Sequence, residues 1–427
     1  MLFLADEGAL EFLEPQGLHA LLPHLYLNGN RPEPEASTVL FGLAVGGLYL
    51  LLAGALSWRL GRLEVGRSFS TAARVGWRLL LVVGFFLAWE LSLQAWTMGN
   101  PYEMFIPDPA AFWKANPEYL QDQAQALHRV HSGRRYLAMD GILDPEFPPE
   151  RTPGTWRLMV LGHSQVLSIQ PHRYGGRLTY PKLLPGLGMK GPGGEPLECI
   201  NAAISGYSSW QGLLLLKNLA PRYRPDVVVC AFSYHDANFA FSTDAEVMTD
   251  DPRVHALRAA LYRSKVYLLI RRVVLKGKAA WNDRARGSAR VPRVTVAQYE
   301  ANLRAMARLA RQYGFRLAFL SEPTRTDRVA EVSRQYRETA QRIAREEGAV
   351  FLDVRREVQQ GPPQRREAMY DDEIHLTVFG HREVARLVAE GLRQAGLLSG
   401  PAALAPEPVP TRPQAPPPPA PGPPPGP

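Results

Sequence analysis

Five short apolar runs, separated by stretches with helical apolar spacing, do most to constrain the fold of this chain. The runs occupy residues 157–161, 198–203, 226–232, 316–320 and 349–352. Between them, residues 208–219, 296–313 and 328–347 repeat apolar side chains with the period of one helix face. Strands that alternate with amphipathic helices are typical of βαβ units. The sequence therefore predicts an α/β domain built on a parallel sheet.

Polar clusters follow four of these runs. Residues 162–165 come after the first run, 205–207 after the second and 233–236 after the third. Asp372 and His375 follow the fifth run, just before an amphipathic stretch at 378–395. In open parallel sheets, ligands bind beyond the carboxyl ends of the strands. We expect the four clusters to meet at one edge of the sheet and to contain the functional site.

Asp372 and His375 have the spacing of an acid and a base supplied by one loop. A serine hydrolase needs an imidazole to take the proton of its nucleophile and a carboxylate to hold that imidazole in the right tautomer. Ser164, at the turn after the first run, is the candidate nucleophile, although serine is also a preferred helix N-cap. A zinc site at the same edge is the alternative, with ligands drawn from His163, His235, Asp236, Asp372 and His375.

Three blocks of the chain resemble the SGNH (GDSL-type) hydrolase family. Residues 160–164 (Val-Leu-Gly-His-Ser) stand where the family has Gly-Asp-Ser, residues 201–206 match its glycine block, and Asp372-x-x-His375 matches its Asp-x-x-His. The resemblance covers residues 105–397 and implies a three-layer α/β/α, flavodoxin-like fold that acts on esters, thioesters and acetylated glycans. Because it also accounts for Ser164 and Gly206, it favours a serine site over zinc, and neither a metal nor a cofactor is expected.

The resemblance assigns a role to each candidate site residue. Ser164 would be the nucleophile, His375 the general base and then acid, and Asp372 its orienting partner. The oxyanion hole would use the backbone N–H groups of Ser164 and Gly206 together with His235. A glycine at such a position also lets the chain approach the substrate closely.

Two positions depart from the family pattern. His235 stands where the family has the asparagine that donates to the oxyanion, and a histidine can donate one N–H when neutral. The alternative for His235 is a purely structural hydrogen bond. His163 replaces the family's aspartate before the nucleophile, which indicates a divergent subfamily. His381, on the last predicted helix, is expected to be structural.

Two apolar segments near the N-terminus predict membrane-spanning helices, within an N-terminal region of residues 1–104. Residues 36–58 carry no charge, and residues 79–96 carry only Glu90, which we expect near the headgroups. The loop between them has five arginines and one acid, whereas the N-terminal flank is acidic. The positive-inside rule then puts the loop in the cytoplasm and the large domain in the periplasm or outside the cell. If the second span were absent, the same rule would put that domain in the cytoplasm.

The remaining segments indicate additions to the domain. Residues 239–295 lengthen the third crossover as an insertion, and twelve basic residues but one acid lie between positions 253 and 293. That segment could lie on an anionic membrane, cap the active site toward an anionic polymer, or be a solvated helix packed on the domain. Nucleic acid is not an expected partner, because no aromatic-basic surface accompanies the charge. The proline-rich tail, residues 398–427, is expected to be extended and disordered, and the two cysteines are expected to be buried free thiols.

These observations predict a membrane-anchored, exported serine esterase of the bacterial inner membrane. Its substrate would be an acylated carbohydrate of the envelope, with lipid esters next. An O-acyltransferase that uses the same residues, served by a membrane acyl-donor partner, is one alternative. The other is a non-catalytic carbohydrate-binding or assembly protein that retains the fold.

Overall fold

A computed structural model of the chain describes residues 34–62, 71–97, 105–108, 112–115, 150–167, 179–240, 243–247, 251–267, 270, 291–325, 330–402, 404–406 and 408–410. The strands, in chain order, are β1 (Phe105–Asp108), β2 (Phe112–Ala115), β3 (Trp156–Leu161), β4 (Leu197–Asn201), β5 (Val227–Cys230), β6 (Phe239–Ala240), β7 (Val291–Pro292), β8 (Arg316–Leu320) and β9 (Val350–Leu352). The helices are α1 (Pro34–Arg62), α2 (Thr71–Thr97), α3 (Ser164–Leu167), α4 (Tyr180–Leu183), α5 (Ser209–Tyr223), α6 (Ser233–Asp236), α7 (Asp244–Val247), α8 (Pro252–Leu261), α9 (Val296–Tyr313), α10 (Ala330–Glu347), α11 (Val354–Gln360), α12 (Pro363–Ala368) and α13 (Val378–Gln394).

The chain divides into two compact units. One comprises Met1–Glu103, Pro107–Trp113 and Val247–Ala289, and the other comprises Met104–Ile106, Lys114–Glu246 and Arg290–Pro427. Most of the predicted insertion therefore groups with the N-terminal helices rather than with the sheet.

A five-stranded parallel sheet forms the centre of the second unit. Its strand order is β4-β3-β5-β8-β9, and every neighbouring pair is parallel. The central strand β3 pairs on both sides, with Val160 opposite Asn201 of β4 and Leu161 opposite Cys230 of β5. This register brings the carboxyl ends of β3, β4 and β5 level. The predicted parallel α/β sheet is confirmed, and its strand order is the flavodoxin-like one.

The strands form where the apolar runs predict them because both of their faces are buried. All residues of β4 and β5 are buried, and in β3 only Trp156 is partly exposed. Strands covered on both faces read as continuous apolar runs in parallel sheets. The two cysteines of these strands, Cys199 and Cys230, are buried free thiols, as predicted.

The helices lie on two faces because the strand order reverses at β3. A right-handed crossover from β3 to β4 puts α4 on one face, and the later crossovers in the opposite direction put α5, α9 and α10 on the other. The contacts agree, since α9 packs against α5 and α10, whereas α13 packs against α4. Thr377 is the N-cap of helix α13, and its hydroxyl accepts the Gly380 N–H at 3.0 Å, so the start of the helix is fixed next to His375.

In the first unit, α1 and α2 pack against each other. A Cβ at Gly46 would lie 2.9 Å from the Trp89 ring, so glycine is what permits this close approach. The Tyr49 hydroxyl and Ser92 Oγ lie 3.2 Å apart across the pair. Within the part of the chain that the structure describes, neither of these helices nor any other is long and apolar enough to cross a membrane.

Glu90 has partners that the sequence did not predict. Its carboxylate accepts the N–H groups of Lys265 at 2.8 Å and Val266 at 3.0 Å and the Ser264 hydroxyl at 2.8 Å. Leu93 and Val266 bury each other beside these bonds. The carboxylate of α2 thus holds the insertion segment of its own unit, which explains why a charge interrupts the apolar stretch. Residues 411–427 of the proline-rich tail lie outside the described residues.

Candidate active site

Ser164, His375 and Asp372 form one continuous chain of hydrogen bonds. Ser164 Oγ lies 2.9 Å from His375 Nε2, and His375 Nδ1 lies 2.6 Å from Asp372 Oδ2. The serine comes from the turn after β3, whereas the other two come from the loop before α13. The structure therefore brings together the three residues that the sequence selects from positions some two hundred residues apart. Their order is that of a nucleophile, a base and an orienting acid.

The loop that carries Asp372 and His375 is held by its own backbone. Asp372 Oδ1 accepts the N–H of Ile374 at 2.9 Å and of His375 at 2.8 Å, so the two carboxylate oxygens bind different parts of one turn. The Asp371 N–H donates to the His375 carbonyl at 2.9 Å and closes the loop. The spacing of three residues is therefore required for one carboxylate to reach both the backbone and the imidazole.

Gln165 ties the nucleophile's turn to the same loop. Its side-chain amide donates to the carbonyls of Ile374 at 2.8 Å and Pro323 at 2.7 Å, and the residue is buried. This glutamine directly follows Ser164, so it fixes the distance between the nucleophile and the base. Sequence reasoning missed it, because a single glutamine after the candidate serine has no diagnostic spacing.

Asp372 is ionised throughout the range in which an esterase works. Burial opposes its ionisation, but hydrogen bonds and charge from His375, together with the two loop N–H groups, hold the pKa of this carboxyl at about 2. An ionised carboxylate only accepts hydrogen bonds, so the Nδ1–H of His375 donates to Asp372. The other ring nitrogen, Nε2, is then the acceptor that faces the Ser164 hydroxyl.

Gly206 occupies the third position of a β-turn. The Tyr207 N–H donates to the Ile204 carbonyl at 3.2 Å, and Gly206 has a φ of 78°. Ser205, in contrast, does not have a positive φ. This combination defines a type II turn, in which the third residue needs a positive φ and is therefore usually glycine. The turn fixes the direction of the Gly206 N–H, the predicted donor to the oxyanion.

Gly206→Ala is expected to lower kcat by about 10² to 10³, the usual effect of losing one oxyanion donor. A Cβ disfavours a positive φ, so the turn should relax to type I, which rotates the peptide that carries this N–H. Steady-state kinetics on p-nitrophenyl acetate checks the effect. Gly154→Ala is the matched control, because Gly154 has a φ of 74° and open space around it. Equal losses of activity in the two variants would contradict the role of the Gly206 N–H.

His235 lies buried beside this site as a neutral imidazole. Burial, followed by electrostatic interaction with His163, Arg293 and His375, holds its pKa well below the usual value. Its Nδ1 lies 3.1 Å from the side-chain amide nitrogen of Asn238, which can only donate. The ring proton is therefore on Nε2, and His235 carries the single N–H that a stand-in for the family's asparagine needs. Its donation to an oxyanion stays a prediction.

His163 is paired with Glu322, a residue that the sequence did not single out. The imidazole Nε2 contacts Glu322 Oε1, and both side chains are completely buried. The other oxygen of Glu322 accepts the Ser233 hydroxyl at 2.7 Å and the Tyr234 N–H at 2.9 Å. Burial opposes ionisation of Glu322, but His163 and these two donors lower its pKa. His163, just before the nucleophile, therefore binds the Glu322 carboxylate, and this carboxylate connects the ends of β3, β5 and β8.

The candidate zinc ligands His163, Asp236 and His375 bind other protein groups. His163 contacts Glu322, His375 bonds Ser164 and Asp372, and Asp236 Oδ1 accepts the Ser209 N–H at 2.7 Å at the start of α5. Among the described residues, no three histidine, cysteine or acidic side chains are grouped as metal ligands. The geometry of this edge is that of a hydrogen-bonded serine site.

Comparison with known protein families identifies the chain. The model of the GDSL-like Lipase/Acylhydrolase family matches residues 170–383, half of the chain. The chain belongs to this family. Family membership makes it a hydrolase that acts on ester bonds. Gly206, His235, Asp372 and His375 lie inside the matched residues, whereas Ser164 lies just before them. No curated protein sequence matches the chain significantly.

Several solved structures are similar to this GDSL-like acylhydrolase. TesA is 17% identical, with 56% of this chain and 98% of that one covered at a TM-score of 0.37. The lipase/acylhydrolase from Enterococcus faecalis is 14% identical, with 58% of this chain and 100% of that one covered at a TM-score of 0.37. Axe2, an acetylxylan esterase from Geobacillus stearothermophilus, is 18% identical, with 57% of this chain and 95% of that one covered at a TM-score of 0.36.

His381 is structural, because its Nδ1 accepts the Tyr180 N–H at 3.3 Å and the residue is 1% exposed. Burial, followed by electrostatic interaction with His375, lowers its pKa to about 3, against about 6.5 in an unfolded chain. The unfolded state therefore binds this proton first, and the stability that neutral His381 contributes is lost as the pH falls below about 6.5.

Between pH 6 and 4, the wild type is expected to lose about 1.4 kcal/mol of stability per pH unit relative to His381→Asn, whose amide oxygen can accept the same N–H. Urea unfolding of both proteins across this range measures the difference. Parallel stability curves would contradict a buried neutral His381.

Proposed function

We propose that the protein is a membrane-anchored, exported serine esterase that removes acyl groups through an acyl-enzyme on Ser164. The observation that carries the catalytic part is the unbroken chain from Ser164 Oγ to His375 Nε2 and from His375 Nδ1 to Asp372. A serine hydroxyl is a weak nucleophile unless an adjacent base takes its proton. Here the base is within hydrogen-bond distance, and an ionised carboxylate holds its tautomer.

In the first half-reaction, Ser164 Oγ attacks the acyl carbonyl carbon while His375 Nε2 takes the hydroxyl proton. The carbonyl oxygen becomes an oxyanion that accepts hydrogen bonds from the N–H groups of Ser164 and Gly206 and from His235 Nε2. When the intermediate collapses, His375 returns the proton to the alcohol oxygen that leaves, and the acyl group remains on Ser164. Asp372 stays ionised and stabilises the imidazolium that forms in each step.

The second half-reaction repeats these roles with water. His375 takes a proton from the attacking water, the oxyanion forms in the same place, and the serine oxygen leaves with the proton that His375 returns. The products are a carboxylic acid and the free enzyme. If the acyl group passed to an acceptor hydroxyl instead, the same residues would act as an acyltransferase.

The proposed substrate is an O-acetylated carbohydrate of the envelope, with lipid esters as the second candidate. Membership of an acylhydrolase family supports an ester substrate. The membrane anchor is supported by the uncharged stretch at residues 36–58. Exposed leucines along the paired helices α1 and α2 support it as well, among them Leu50 at 60% and Leu51 at 73% exposure.

The full chain in detergent tests the substrate class. We expect release of acetate from O-acetylated polysaccharide and from p-nitrophenyl acetate, and slower turnover of long-chain p-nitrophenyl esters. Faster turnover of the long-chain esters would favour lipid esters over O-acetylated carbohydrate as the substrate class. Hydrolysis of none of these by the wild type would contradict the esterase, and acetyl transfer to an added sugar in preference to water would favour the acyltransferase.

Location is tested separately. A C-terminal alkaline phosphatase fusion is expected to be active in cells, and the protein is expected to remain in the membrane fraction after alkaline washing. An inactive fusion would contradict export, and release by the wash would contradict the anchor.

A further inference from the structure

Arg293 is a completely buried cation that binds the carbonyl of the oxyanion glycine. The residue is 1% exposed, and its Nη1 donates to the Gly206 carbonyl oxygen at 2.8 Å. Its Nε and Nη2 donate to the two carboxylate oxygens of Asp244, at 3.2 Å and 2.9 Å. Burying such a pair is costly, and the bidentate geometry offsets that cost only when the remaining donors are also satisfied.

The pair also organises the segment that follows Gly206. Asp244 Oδ2 accepts the Ser208 hydroxyl at 2.6 Å, and Arg293 Nη2 donates to the Gln211 side-chain oxygen at 3.1 Å. That same oxygen accepts the Ser208 N–H at 3.0 Å as part of the capping box that begins α5. The turn is therefore held on its carboxyl side, through the Gly206 carbonyl, Ser208 and Gln211, by one buried charge pair.

Both members of the pair come from the base of the insertion. Strands β6 and β7, the two legs of the insertion, pair in antiparallel fashion. Arg293 directly follows β7, and its N–H donates to the Asn238 carbonyl at 2.7 Å just before β6. Asp244 lies on α7 after the other leg, and its N–H donates to the Arg293 carbonyl at 2.6 Å. The position of the turn thus depends on how the two legs are closed.

We propose that Arg293, together with Asp244, is a positioning residue for the oxyanion hole, and that the closed base of the insertion sets the geometry of Gly206. The inference rests on the proposed esterase function, because it assigns the Gly206 N–H to the oxyanion. Arg293 touches no substrate and acts through the Gly206 carbonyl. Misplacing a catalytic donor by about 1 Å can cost about 10² in rate, so the effect should appear in kcat.

Two variants separate positioning from stability. Arg293→Met removes the guanidinium but leaves Asp244 buried and unpaired, which should lower the melting temperature. Arg293→Met/Asp244→Leu removes both charges, and replacing a buried ion pair by apolar side chains is often neutral for stability. We expect the double variant to regain the melting temperature of the wild type while both variants keep a kcat about 10²-fold lower, with KM little changed.

Two further readouts test the path through Gly206. Phenylboronic acid forms a tetrahedral adduct with a nucleophilic serine, and its affinity should fall in both variants by the same factor as kcat/KM. Amide hydrogen exchange in the 204–207 turn should be faster in both variants, and this readout does not require activity. Recovery of kcat together with stability in the double variant would overturn the inference, and so would unchanged exchange in the turn. An inactive wild type with the expected exchange would instead contradict only the proposed function.

Discussion

Ser164→Ala is expected to lower kcat for p-nitrophenyl acetate by about 10⁴ to 10⁶, the range found when the nucleophile of a serine triad is removed. The reason is chemical, since alanine cannot form the acyl-enzyme and leaves only uncatalysed attack by water near the oxyanion donors. Ser164 is 4% exposed and its hydroxyl has His375 as its partner, so the folded state should tolerate the change. Steady-state kinetics and a melting curve together check both statements.

Ser399→Ala is the matched control for Ser164→Ala. Ser399 Oγ donates to the Gly191 carbonyl at 2.5 Å, and neither residue belongs to the active site. This variant is expected to keep its activity. A Ser164→Ala enzyme that hydrolyses the ester at the wild-type rate would remove the serine mechanism, whatever the state of the rest of the triad.

Asp372→Asn is expected to lower kcat by about 10⁴, with KM changed far less. An asparagine can present its amide N–H to His375 Nδ1, which would move the ring proton to Nε2, the nitrogen that must accept from Ser164. The effect is therefore a wrong tautomer rather than a lost contact. Kinetics over a range of pH values measures it.

Asp371→Asn is the matched control for Asp372→Asn, because it changes the adjacent carboxylate in the same way. The bond from the Asp371 N–H to the His375 carbonyl is a backbone bond, so it survives the change. We expect Asp371→Asn to retain most of the wild-type kcat. A larger loss at Asp371 than at Asp372 would contradict the assignment of the orienting acid.

The fold could be predicted because its central strands β3, β4 and β5 are buried on both faces. Continuous apolar runs marked β3, β4, β5, β8 and β9, and the predicted bounds of β8 and α9 agree with the structure to the residue. The meeting of Ser164, Asp372 and His375 could also be predicted, because carboxyl ends of parallel strands share one edge. The order of the strands could be expected only through the family resemblance.

The supporting residues of the site could not be predicted, because their roles depend on contacts between distant segments. Glu322 has no motif around it, and only the folded sheet shows that it reaches His163 and the start of α6. Arg293 is one of twelve basic residues in a segment that the sequence presents as a charged surface, yet it is 1% exposed. Composition gives a segment's average character, whereas burial is decided residue by residue. Asp244, which precedes that segment in the chain, supplies the countercharge that allows Arg293 to be buried.

The serine mechanism is tested most directly by identifying the residue that carries the acyl group. The full-length wild type and Ser164→Ala would be mixed with p-nitrophenyl acetate, quenched in acid within the first turnover and digested for mass spectrometry. We expect one added acetyl group on the peptide that contains Ser164 in the wild type, and none on that peptide in Ser164→Ala. Acetylation of a different residue during productive turnover, with Ser164 unmodified, would contradict the serine mechanism.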